Sequence, residues 1–272
     1  MKVLSTKAWS TAQVAASALL ASFLLLPVAA LVLTLSWTDF AGGIRHPLLL
    51  PALRLSLVTT GTSLFLVVVL GSLLAWWIAR NPGRTARWLE AVTQLPAVIP
   101  PAVAGVGLLL AFGRRGLLGG ILSAHGVALA FTTPAVILAE AFVSAPFFVQ
   151  AAIASFRRVD ENLLVVARTL GASPFRAFVR VGLPLAAPGL VAGAAMSWAR
   201  SLGEFGATLL FAGNLTGRTQ TLPLAVYAAM ESDLRAAQAL SLIMVALAFA
   251  LLFVLRRVAP GGAIPVPEPH RA

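Results

Sequence analysis

Four stretches of this chain, Val14–Leu35, Leu55–Ala79, Ala91–Phe112 and Ala236–Leu255, contain no charged residue. Each is long enough to cross a hydrocarbon core of about 30 Å as an α-helix, which takes roughly 20 apolar residues. No other feature restricts the fold so strongly. Two further stretches, Val127–Phe156 and Leu183–Ala212, are longer and admit a few ionisable groups. They are expected to tilt or to project beyond the bilayer, because their length at 1.5 Å per residue exceeds its thickness. Six membrane helices are therefore expected in an all-α membrane protein. The composition agrees: 11% of residues are charged, against roughly 25% in an average soluble chain.

The first apolar run follows Lys2 and Lys7, as the core of a signal peptide would. It is longer than the roughly 7–15 residues of such a core and lacks a small-residue cleavage site, so it is read as a retained helix. The formal net charge of +11 would suggest nucleic acid in a soluble protein. Here the basic residues sort by side instead. Thirteen fall on one side of the proposed spans and six on the other, with Arg200 inside a span. The excess of basic residues in cytoplasmic loops then places both termini in the cytoplasm. Trp9, Trp37, Trp76, Trp77 and Trp88 lie near span ends, where an interfacial aromatic belt is expected. Residues 1–50 are read as an N-terminal helix with its outer loop and 51–257 as a core of five spans. Residues 258–272, rich in Pro and Gly, are read as a disordered cytoplasmic tail.

Several activities are disfavoured. Zero cysteines removes disulfides, thiolate metal sites and thiol nucleophiles. The lysines are Lys2 and Lys7, so no phosphate-binding loop with its lysine is present. His46, His125 and His270 are far apart and suggest no metal or catalytic cluster. A chain that binds no cofactor and is not itself an enzyme is expected.

The segment 157–184 (RRVDENLLVVARTLGASPFRAFVRVGLP) does not belong to lipid. Leu163, Val166, Ala167 and Leu170 recur at i, i+3, i+4 and i+7, one face of a helix. Asp160 and Glu161 stand at its start, where acids suit the dipole, and Gly171 stands at a plausible C′ position. A second short amphipathic piece begins at Pro174. Such a helix could lie on the membrane surface or dock into a groove of a soluble partner.

Spacing favours docking. Gly171 is followed by nine residues and then by Val181, Gly182, Leu183 and Pro184. That pattern resembles the loop of ATP-binding-cassette importer permeases, written E-A-A, three residues, G, nine residues, I-x-L-P. Val165, Val166 and Ala167 stand where E-A-A is expected, so the first half departs. Further blocks carry the resemblance: Leu95–Pro101 (LPAVIPP), Phe112–Gly119 (FGRRGLLG), Ala167–Ser173 (ARTLGAS) and Arg200–Tyr227 (RSLGEFGATLLFAGNLTGRTQTLPLAVY). They are similar to the molybdate- or tungstate-type branch of these permeases, with sulfate/thiosulfate permeases as the alternative within the family. The resemblance implies a type I, MetI-like bundle and import by alternating access. Asp160, Glu161, Leu163, Val166, Ala167, Leu170, Gly171, Ala172, Pro174, Leu183 and Pro184 would form the ATPase-coupling loop. It also implies a second copy of the chain, two ATPase subunits carrying ATP and Mg²⁺, and an extracytoplasmic molybdate-binding protein. No nucleic acid is implied. A stand-alone secondary transporter would need no docking helix.

Ionisable residues at membrane depth are functional candidates by default. Arg200 and Glu204, four apart, share a helix face and can pair. They could neutralise each other structurally or line a pathway. Glu140 has no partner by sequence, and protonation, snorkelling or a water-filled surround all remain open. Pro100 and Pro101 interrupt the third span. With Phe205, Gly206, Thr208 and Asn214 they complete the candidates for a pathway or gate.

Overall fold

The computed structural model describes residues 6–258. The elements, in chain order, are α1 (Thr6–Leu33), α2 (Trp37–Ile44), α3 (Leu49–Arg80), α4 (Arg84–Val98), α5 (Pro101–Phe112), α6 (Gly119–Ala124) and α7 (Thr133–Arg157). There follow α8 (Glu161–Thr169), α9 (Pro174–Ala177), a π-helical turn (Phe178–Gly182), α10 (Leu183–Leu202), α11 (Gly206–Ala212), α12 (Leu222–Ser232) and α13 (Leu234–Val258). The segments read from sequence as a disordered tail and as the extreme N-terminus lie largely outside the described residues.

Among the described residues, four helical stretches are long and apolar enough to cross a membrane: Thr11–Leu33, Leu49–Arg80, Thr133–Arg157 and Pro174–Leu202. A fifth, α4 with α5, qualifies only as a pair bent by 114°. The third span, expected over 91–112 with an interruption at Pro100 and Pro101, is indeed broken or re-entrant at those prolines. The cause is local. A residue before proline is pushed out of the helical region, and Ile99 (ψ 129°) and Pro100 (ψ 137°) are both extended before Pro101 opens α5. The expected fifth span, 183–212, also ends early: α10 stops at Leu202, and the chain breaks at Gly203–Phe205 before α11. The sixth expected span falls on α13, whose apolar stretch Leu234–Ala250 is shorter than the others.

The most buried span is α7, held between α3 and α10. Thr59 meets Glu140, Gly71 meets Phe148 and Arg80 meets Phe156, so α3 and α7 run in the same direction. Gly189 faces Ser155 and Gly193 faces Ala151, so α10 runs the opposite way. These glycines let the backbones approach, as small residues do at membrane helix interfaces. A Cβ on Gly193 would stand 2.6 Å from that of Ala151.

One end of this three-helix core is closed by aromatic packing. The Trp76 ring packs edge-on against Phe156 at 5.2 Å and lies 5.1 Å from Phe178. The Arg80 guanidinium lies 4.8 Å above Trp76 and donates to the carbonyls of Phe156 and Val159. A cation at the Phe156 carbonyl, in the last turn of α7, complements the negative end of its dipole. The ends of α3 and α7 are thus tied to the π turn that leads into α10.

Candidate functional site

Two places in the fold collect the residues singled out by sequence. The first is the segment between α7 and α10. The Asp160 carboxylate accepts from the Asn162 backbone N–H at 2.9 Å and caps α8, with Glu161 in the first turn. At the other end Gly171 has φ 84°. Its N–H donates to Arg168 O at 3.0 Å, and the Ala172 N–H donates to Ala167 O at 3.0 Å. This pair of bonds is a Schellman closure, which requires the left-handed conformation that glycine adopts without penalty. Ser173 then caps α9, with Pro174 in its first turn. The helix divides its apolar residues between two faces. Leu164 is buried and Ala167 packs on the core beside it. Leu163, Val166 and Leu170 are 47%, 54% and 83% exposed. Among the described residues that face has no partner. Leu183 and Pro184 are the first two residues of α10.

The second place is the break between α10 and α11. Arg200 Nη1 lies 2.8 Å from Glu204 Oε2, with the Glu204 side chain 1% exposed. The other oxygen, Oε1, accepts from the Ala207 backbone N–H at 2.8 Å and satisfies a free donor at the start of α11. Gly206 approaches Pro101, so a Cβ there would come within 3.3 Å of the Ala102 nitrogen. The Phe205 ring packs on Tyr227 at 5.3 Å. Thr208 is fully buried, and its hydroxyl has no hydrogen-bond partner among the described residues. Asn214 lies further along, its amide 3.5 Å from Leu224 O. Arg200, Glu204, Phe205, Gly206 and Thr208 are thus gathered with Pro101 at the junction of α5, α10 and α11. Pro100 stands at the bend beside them, and Asn214 stands apart.

Glu140 is buried, not snorkelling: it is 1% exposed, and one carboxylate oxygen accepts from Thr59 Oγ1 at 2.9 Å. Reasoning from sequence missed that partner. Ser56, Thr59, Thr60 and Ser63 recur on α3 at i, i+3, i+4 and i+7, a polar stripe in an apolar helix. The stripe holds three elements at once. Ser56 Oγ accepts from the Leu222 N–H at 2.7 Å, Thr59 donates to Glu140, and Thr60 accepts from the Trp198 indole at 3.0 Å. It thereby docks α12, α7 and α10 on one face. Among the described residues no group of three or more His, Asp or Glu side chains could hold a metal ion.

Comparison with known proteins gives a consistent result. Residues 67–261 match the family described as the binding-protein-dependent transport system inner membrane component. The molybdenum transport system permease protein ModB of Mycobacterium bovis is 46% identical over 226 residues, 83% of this chain and 86% of that protein. The sulfate transport system permease protein CysT of Escherichia coli is 36% identical over 85% of this chain and 84% of its own length. Among solved structures, a bacterial alginate ABC transporter in complex with a periplasmic protein superposes with a TM-score of 0.74 at 17% identity, covering 94% of this chain and 97% of that one. The MetNI methionine ABC transporter superposes with a TM-score of 0.60 at 21% identity, covering 78% and 94%. Both likenesses speak for the fold.

Proposed function

The chain belongs to the family of binding-protein-dependent transport system inner membrane components, and from that membership we propose that it is the permease subunit through which an ATP-binding-cassette importer passes molybdate into the cytoplasm. The observation that carries the cargo is the 46% identity with a molybdenum permease across 83% of the chain. Tungstate, of the same shape and charge, is expected to share the route. The 36% identity with CysT supports sulfate as the second reading.

In this reading the chain has six spans, α4–α5 forming one and α13 the last, with both termini in the cytoplasm. A C2 pair of subunits encloses the pathway. The exposed face of Leu163, Val166 and Leu170 seats in a groove of an ATPase subunit, as amphipathic helices do in partner grooves. ATP and Mg²⁺ are held by that partner, and an extracytoplasmic binding protein delivers the anion. When the two ATPases close on ATP, they draw the two loops together and the pathway turns outward. A fixed carboxylate along an anion route would repel the cargo. At the candidate gate Glu204 is answered by Arg200 at 2.8 Å, which supports placing a neutral pair there.

The test is uptake of radiolabelled molybdate by proteoliposomes holding the permease, its ATPase and its binding protein. ATP-dependent uptake that excess sulfate does not suppress is the expected result. Uptake suppressed by equimolar sulfate transfers the assignment to the sulfate branch. Uptake without the ATPase would replace it with a secondary transporter.

A further inference from the structure

The block FGRRGLLG, Phe112–Gly119, has no part in either place described above. It folds back over the end of α5: the Leu117 and Leu118 N–H groups donate to Leu110 O and Ala111 O, each at 2.9 Å. The turn is built for closeness. A Cβ on Gly116 would stand 2.5 Å from Leu110 O, and one on Gly119 would collide with Gly113 O. The reversal fixes where Arg114 leaves the backbone. Across from it, the Thr133 hydroxyl donates to Arg218 O at 2.9 Å and fixes the backbone of Arg218.

Arg114 and Arg218, both solvent-exposed, line a common cavity of about 410 Å³. Arg114, Arg218 and Ser123 line it together with Phe112 and Phe131, and no Asp or Glu is among its lining residues. Neither guanidinium forms an ion pair among the described residues. Phe131 closes one wall in the left-handed region, at φ 62°, the one non-glycine residue there among those described. A bulky side chain held so costs about 1 kcal/mol or more and persists only when its surroundings enforce it. Here they do: the Phe131 N–H donates to Phe211 O at 3.3 Å, and its ring lies against Gly213.

We propose that the cavity lined by Arg114 and Arg218 is a binding site for a tetrahedral oxyanion. The two arginines, neither of them ion-paired among the described residues, can only donate, and the Ser123 hydroxyl can turn its proton to the same anion. Arginine forks match the edges of such an anion. The shared chemistry has two sources, a free dianion of the molybdate kind or the phosphate of a lipid headgroup. The choice of molybdate as the probe rests on the transport reading.

The experiment is calorimetric titration of sodium molybdate into the full-length chain in phosphatidylcholine nanodiscs. Arg114→Gln and Arg218→Gln are the test variants, and Arg115→Gln, which does not line the cavity, is the control. Saturable binding is expected, weakened about tenfold by either test substitution and unchanged in the control. Repeating the titration in phosphatidylglycerol nanodiscs separates the sources. Affinity that drops there, through the same two arginines, assigns the site to lipid phosphate. Affinity that holds assigns it to the free oxyanion. Absence of saturable binding, or equal affinity in wild type and both test variants, overturns the site. A chain that binds here but imports no molybdate would refute the cargo assignment and leave the site standing. A chain that imports molybdate without this binding does the reverse.

Discussion

A glutamate inside a helix bundle is costly unless its charge is answered, and Glu204 and Glu140 are answered differently. Glu204 has a guanidinium on one oxygen and a backbone N–H on the other. Removing Arg200 alone strands the charge. Arg200→Met is therefore expected to destabilise the protein by about 2–4 kcal/mol, below the figure for a fully enclosed pair because 27% of the arginine side chain is open. Arg200→Met with Glu204→Gln should recover much of the loss, and thermal unfolding in detergent compares the two. Full loss in the double variant would show that the guanidinium matters for packing rather than for charge. At the surface, Asp39 has its carboxyl held below the ordinary value of 3.8 by the Ser36 hydroxyl and then by Arg235. A lowered acid contributes above its unfolded value and stops contributing as pH falls through the folded one. Protection of the α2 amides, taken as the exchange rate relative to the free-peptide rate at the same pH, is thus expected to hold from neutral pH to about pH 4 and to fall only below. Loss of protection near pH 6 would assign the anchoring to another group.

At the scale of the element, the segment from α8 to the π turn was the most legible part of the chain. Its signals are local: a helical period, an acid at the cap and a glycine at C′ each act within a turn or two. Gly171→Ala meets open space, so it should cost only the left-handed strain, about 1 kcal/mol. Leu163→Asp leaves the fold intact and charges the exposed face. In proteoliposomes with the partner ATPase, Leu163→Asp is expected to abolish transport-linked ATP hydrolysis, and Gly171→Ala to retain most of it. The reverse ranking would mean that the turn, not the apolar face, makes the contact. The breaks in α4–α5 and α10–α11 were legible only as places. Pro100, Pro101, Gly203 and Gly206 mark them, yet the 114° turn depends on α11 packing across α5, which is a long-range fact. Glu140 needed Thr59, 81 residues away. The polar stripe on α3 was a period-3.6 pattern hidden because apolar length dominates the reading of a span. Phe131 at positive φ had no local sign at all.

For the molecule as a whole, the absence of cysteine makes every introduced thiol a unique reporter. If both termini are cytoplasmic, as the proposed topology has them, Leu163→Cys should react with an impermeant maleimide only in inside-out vesicles, and Leu117→Cys only in right-side-out ones. Labelling of both from one side would discard the six-span topology. The same architecture has a mechanical consequence. From Pro174 to Leu202 the chain is one continuous helical span through its π turn, and it crosses α7 most closely where Gly189 meets Ser155 and Gly193 meets Ala151. A rod held at a crossing point behaves as a seesaw. About 28 Å of helix lies on the α8 side of Gly193 and about 14 Å on the Arg200 side, at 1.5 Å per residue. In the proposed transport cycle a pull at the long arm would reach Arg200, about 10 Å beyond the crossing, reversed in direction and cut to about a third.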